Sequence, residues 1–240
     1  MKNKIIQHLR DILEPEEKVL ALWLGGSEAT ERVDQYSDID LVIISEDPTL
    51  PFNLLEKKLA TTISNRFIET SGPYLQRFYV LAGTSETFYL DIVSFSKTNP
   101  ECYQEYFNRE RHGTPRILVD KKGILKEAAR NPKYERPNLD CQNEKGRLEI
   151  IYRTFLKESL RGNYSDAFNF YFRIVLILTK VYRTKLSPER HDFGLRYTYS
   201  DLPHEEASFI ETMLKVATHE EMRINAKLMY HKVINELGVC

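Results

Sequence analysis

The chain has 240 residues, of which 42% are hydrophobic and 29% charged, too apolar for a disordered polypeptide and long enough for one large domain or two smaller ones. Lys and Arg number 34 against 35 Asp and Glu, so the formal charge of −1 excludes a global field drawing the chain onto a polyanion or an acidic membrane. The N-terminal stretch lacks an apolar core of signal-peptide length, and the longest aliphatic run is Ile174 to Leu178; the expectation is a cytoplasmic chain with no membrane partner. Cys102, Cys141 and Cys240 are odd in number and form no CxxC pair, which argues against a disulfide framework or structural zinc and predicts three reduced thiols.

Ile5, Ile6, Leu9, Ile12 and Leu13 recur at helical spacing until Pro15 stops the pattern, so an amphipathic helix opens the chain. Val19 to Leu24 is a continuous apolar run ending at Gly25-Gly26, as expected of a strand buried on both faces. Ile39 to Ile44 is a second, β-branched strand into which Asp38 and Asp40 are set. Leu54, Leu55, Leu59 and Ile63 keep helical spacing, and Arg77–Leu81 and Phe88–Phe95 read as strands joined by a hairpin through Gly83-Thr84-Ser85. A short strand at Ile117–Val119 runs through a turn into a helix at Ile124–Arg130. The polar, proline-bearing stretch Asn131 to Asn143 marks a boundary, and helices follow at 144–161, 164–183, 204–217 and 219–237. The expected fold class is α+β, a small mixed-sheet domain over 1–135 followed by a C-terminal helical bundle over 136–240.

Residues i and i+2 of a strand point to one face, so Asp38 and Asp40 project together from an apolar strand and repel. Such a pair calls for a cation between its members, and Mg²⁺ prefers carboxylate and phosphate oxygens. Asp91, set between Leu90 and Ile92, needs the same explanation. If its strand pairs beside the other, three carboxylates converge, the charge a two-metal site for nucleotidyl transfer requires. Gly25-Gly26-Ser27 has the opposite polarity, because glycines let backbone amides approach an anion and Ser27 can cap a following helix.

Gly25-Gly26-Ser27, ten intervening residues, Asp38-Ile39-Asp40 and then Asp91 together resemble the DNA polymerase β-like nucleotidyltransferase superfamily over residues 19–95. The helical half resembles, in layout, small bacterial nucleotidyltransferases acting on aminoglycosides and lincosamides. The resemblance implies that Gly25, Gly26 and Ser27 bind a nucleoside triphosphate and that Asp38, Asp40 and Asp91 ligate two Mg²⁺ ions, Asp91 being a third ligand or the general base. It implies transfer of a nucleoside monophosphate, AMP from ATP, to a hydroxyl of a small-molecule acceptor such as an antibiotic. The alternative is a minimal nucleotidyltransferase of antitoxin type that modifies a protein or RNA; the balanced charge argues against a nucleic-acid partner.

The remaining residues read as structural. Tyr164, Phe168, Phe170, Tyr171 and Phe172 fall at helical spacing and are expected in a core, Arg173 and Lys180 as solvated or salt-bridged side chains, and Glu205-Glu206 as first-turn charges of a helix.

Overall fold

The computed structural model describes residues 1–69, 74–130, 132 and 139–238. The chain divides into two compact units, Met1–Tyr134 and Glu135–Cys240. The boundary expected at 135/136 lies outside the described residues.

The first unit comprises α1 (Lys2–Leu13), β1 (Val19–Leu24), α2 (Gly26–Ala29), β2 (Ile39–Ser45), α3 (Leu50–Lys58), β3 (Ile63–Glu69), β4 (Leu75–Leu81), β5 (Leu90–Ser96), α4 (Glu101–Gln104), α5 (Arg109–His112), β6 (Arg116–Asp120) and α6 (Ile124–Ala128). Its six strands form one sheet in the order β3-β4-β5-β2-β1-β6. β2 and β5 are parallel and the other neighbours antiparallel, so the sheet is mixed. Both faces are covered, which is why β1 and the Leu41–Ile44 stretch of β2 read as apolar runs. On one face Ile39, Leu41, Ile43, Leu90 and Ile92 meet Leu9 and Leu13 of α1 and Phe52 and Leu55 of α3. On the other, Trp23, Val42, Ile44, Val93 and Phe95 meet Tyr103, Phe107 and Leu125.

Several features depart from the sequence reading. Ile63 does not extend the preceding helix: α3 ends at Lys58 and Ile63 opens β3, a strand at the edge of the sheet. Its polar Ser64-Asn65-Arg66 and exposed Phe67 and Ile68 lack the alternation that marks a half-buried strand. Cys102 is a free thiol but Cys141 is disulfide-bonded, against the expectation of three thiols. Linear spacing does not report which cysteines a fold brings together.

The second unit is helical: α7 (Cys141–Leu160), α8 (Tyr164–Leu186), α9 (Thr198–Asp201), α10 (His204–Leu214) and α11 (His219–Leu237). Leu148 and Phe155 of α7, Tyr171, Ile174 and Leu178 of α8, Ile210 of α10 and Met222, Met229 and Val233 of α11 share one core. The α+β class, a mixed sheet followed by a helical unit, is as expected. Tyr171 is core, and its hydroxyl donates to the Met213 carbonyl, whereas Tyr164 and Phe168, expected in the core with it, are exposed. Lys180 is salt-bridged, to Glu144, and Arg173 lies over the Phe170 ring.

The connection from α8 to α10 is held by a charge the sequence does not single out. Arg183, fully buried, donates to the carbonyls of Gly194, Arg190 and Arg196 and pairs with Asp201 at 2.9 Å. Asp201 also takes Arg190 at 2.6 Å, so one carboxylate serves two largely buried guanidiniums. Among the described residues no helix is long and apolar enough to cross a membrane.

Candidate active site

β1 ends at Leu24 and the chain turns through Gly25 and Gly26 into the single turn of α2. The Gly25 amide donates to the Asp40 carbonyl at 3.0 Å, which ties the turn to the start of β2. Gly26 adopts φ +51°, and a Cβ added there would lie 1.8 Å from Asp40 Oδ2. Only glycine therefore lets this backbone lie against the carboxylate. From the far side the turn is braced by Gly113, at φ +80°, where a Cβ would meet the Ala29 carbonyl at 2.2 Å, and by the Thr114 amide, which donates to that carbonyl at 2.8 Å. Ser27 Oγ is buried and has no hydrogen-bond partner.

The carboxylates come from two strands. β2 and β5 pair in parallel with Asp40 opposite Asp91, and such in-register neighbours share a face about 4.8 Å apart. Asp38 lies two residues before Asp40, on the same face just ahead of the strand. All three are half-buried, beside the second of the two apolar layers.

Neutral donors hold two of the three. Gln76 Nε2 of β4 donates to Asp91 Oδ1 at 2.7 Å, a diagonal contact set by the pairing of Phe78 with Asp91 and of Gln76 with Val93. The Tyr89 phenol donates to Asp38; this bond, then burial, then the charges of Asp38, Asp40 and Asp91 hold its pKa well above the ordinary range. Tyr106 is also raised, by burial first and then by Tyr74, Asp91, Glu105 and Asp40. Its ring stacks on His112 and meets Trp23 edge-on.

The structure thus brings Gly26, Asp40 and Asp91 together, with Asp38 two residues ahead of Asp40 and Ser27 next in the chain after Gly26. Among the described residues, no three His, Cys, Asp or Glu side chains form a group compact enough to hold a metal ion as they stand. The donor set nevertheless fits a hard divalent cation: carboxylate oxygens on one face, two of them on adjacent strands. Gln76, Tyr89 and Tyr106 were missed in the sequence. Tyr89 carried a signal, being two residues before Asp91 and so on its face; Gln76 carried none, because its contact depends on the register of β4 against β5.

Residues 5–69 match the family model described as the nucleotidyltransferase domain, a stretch holding Gly25, Gly26, Ser27, Asp38 and Asp40. That stretch of the first unit is a match to a nucleotidyltransferase domain. The match stops short of Asp91, which β5 sets beside Asp40. No curated protein matches the chain. Among solved structures, it is similar to a nucleotidyltransferase-like protein from Exiguobacterium sibiricum at 11% identity, over 99% of this chain and 77% of that one, with a TM-score of 0.41. It is similar to a spectinomycin adenyltransferase from Enterococcus faecialis, solved with ATP and spectinomycin, at 12% identity over 98% and 97% of the two chains, with a TM-score of 0.35. A chain of the GLD-2/RNP-8 complex is 11% identical over 91% and 67%, with a TM-score of 0.36. With scores this low, the domain match and the geometry of the strand ends are what characterise the unit.

Proposed function

We propose that this nucleotidyltransferase transfers AMP from ATP to a hydroxyl of a small molecule, with an antibiotic as the first acceptor class to assay. The observation that carries the site is the register of β2 and β5, which sets Asp40 beside Asp91 while the Gly26 backbone lies against Asp40. Asp38, Asp40 and Asp91 would hold two Mg²⁺ ions, which when bound neutralise the triphosphate and polarise its α-phosphate.

In this reading the Gly26 backbone and the unpartnered Ser27 hydroxyl bind phosphate oxygens, while the Gly25 amide stays on the Asp40 carbonyl. The acceptor oxygen forms a bond to the α-phosphorus, the bond from that phosphorus to the bridging β-phosphate oxygen breaks, and pyrophosphate leaves. Asp91 takes the acceptor's hydroxyl proton, and Gln76 orients it through Oδ1. The near-equal numbers of basic and acidic side chains support a small acceptor over a nucleic acid, which would require a basic stripe.

The test is release of pyrophosphate from ATP with Mg²⁺ against a panel of aminoglycosides, lincosamides, tRNA, single-stranded DNA and cell-lysate protein. Label from ATP is expected on a small acceptor. Label on a macromolecule alone would overturn the acceptor class and favour the antitoxin-type alternative.

A further inference from the structure

The face of the sheet that carries Asp40 and Asp91 continues past them into a row of rings. Phe78 of β4 is paired with Asp91, and Phe67 of the edge strand β3 is paired with Phe78, so both project from that face. Tyr89, two residues before Asp91, joins the row: its ring centroid is 6.0 Å from that of Phe78, which is 5.8 Å from that of Phe67. Val80, two residues beyond Phe78, borders it. Tyr103, Phe107 and Leu125 cover the Val42 and Val93 part of the face, whereas Phe67 is 59% exposed and Val80 and Tyr89 are exposed as well.

Cross-strand pairing of rings stabilises a sheet, and that accounts for Phe67 meeting Phe78. It does not account for aromatic surface left in water beside a group of carboxylates, and contiguous exposed apolar surface of this kind is what a binding site presents. The charges narrow what binds. The basic residues of β3 and β4 are Arg66 and Arg77, and both lie on the opposite face, where they pair with Glu56 and Arg77 sits over the Phe52 ring. Among the described residues the row therefore offers aromatic surface and no cation to hold a phosphate. A nucleic-acid strand is disfavoured there, and an uncharged or cationic ring is favoured.

Position selects the occupant. Across the sheet the order is the Gly26 turn after β1, then Asp40, Asp91, Phe78 and Phe67. In nucleotidyl transfer the attacking and leaving oxygens lie in line, so an acceptor approaches from the side opposite the departing pyrophosphate. With the phosphates at the Gly26 end, that side is the row of rings, whose nearest member, Phe78, stands one strand spacing of about 4.8 Å from Asp91.

We propose that Phe78, Phe67 and Tyr89 form the platform for the acceptor, a hydroxylated ring that lays an uncharged flat face on Phe78 and Phe67 and points its hydroxyl at Asp91. Two sources share that chemistry, an aromatic ring stacked on the row and a sugar ring whose C–H face lies on it. The proposal rests on the nucleotidyl-transfer reading and narrows its acceptor class.

The full-length protein is mixed with phenyl β-D-glucoside, which carries both a hydroxylated sugar ring and an aromatic ring, and saturation transfer from protein to probe is recorded by NMR. Saturation concentrated on the phenyl protons identifies an aromatic acceptor, and on the pyranose C–H protons a sugar. Phe67→Ala and Phe78→Leu should each weaken the Kd of the probe by about threefold to tenfold. Ile68→Ala, also exposed but on the opposite face of β3, should leave it unchanged. ATP with Mg²⁺ should bind alongside the probe, and its stabilisation of the protein should survive in Phe67→Ala. Absence of saturation transfer, equal binding by the wild-type protein and both ring variants, or displacement of the probe by ATP with Mg²⁺ would overturn the platform, the last by giving the rings to the adenine. A wild-type protein whose Tm does not respond to ATP with Mg²⁺ would instead overturn the nucleotidyl-transfer reading on which the platform rests.

Discussion

Replacing Gly26 with alanine tests the site through one atom. The new Cβ would lie 1.8 Å from Asp40 Oδ2, and since Cβ contacts under 3.0 Å are essentially never seen, the carboxylate must retreat by about 1.2 Å or the turn must open. The φ of +51° adds about 1–2 kcal/mol of strain for any residue with a Cβ. Displacement of a reacting or ligating group by about 1 Å costs on the order of a hundredfold in rate, or about 2.7 kcal/mol of transition-state stabilisation. Gly25→Ala is the matched control. Its Cβ would make only ordinary contacts, 3.9 Å to Val42 Cγ2 and 4.0 Å to Asp40 Cβ, at a negative φ. With Mg²⁺-dependent pyrophosphate release as the assay, Gly26→Ala should lose at least about a hundredfold in kcat/KM and about 1–2 kcal/mol of stability in urea unfolding. Gly25→Ala should keep activity within about threefold. Equal activity of the two variants would refute the reasoning, because Asp40 would then not depend on the bare backbone at Gly26.

Asp38→Asn and Asp40→Asn should each lower turnover by at least about a hundredfold with the fold intact by circular dichroism, and the Tm should hold or rise because one member of a repelling group is neutralised. Near-normal Mg²⁺-dependent turnover in either would end the metal-ligand reading. ATP with Mg²⁺ should raise the Tm clearly more than ATP with a chelator, and equal shifts would mean that the triphosphate binds away from the carboxylates. Asp201→Asn should destabilise the protein by about 3–5 kcal/mol in denaturant unfolding, since Arg183 and Arg190 would keep their charges with little access to water. A loss below about 1 kcal/mol would mean that water reaches both guanidiniums.

The sequence by itself was enough for features whose physics is local. The apolar runs of β1 and β2, the period-2 placement of Asp38 and Asp40 and the glycine turn before Ser27 each depend on a few consecutive residues. Their combined spacing pointed to a nucleotidyltransferase before any strand was paired. The helical unit was legible for the same reason, since α7, α8, α10 and α11 each repeat an apolar face every three or four residues. What only the tertiary structure decided are contacts between residues far apart in the chain. Parallel pairing of β2 with β5 puts Asp91 beside Asp40 across fifty residues, and the register of β4 then delivers Gln76 to Asp91. β3 stayed hidden because an edge strand need not alternate, and the role of Arg183 depends on the following loop, which closes three carbonyls and Asp201 around it. Periodicity tells each residue which face it occupies, but the partner on that face is chosen by strand register and loop closure, and these are set by the burial of the whole core.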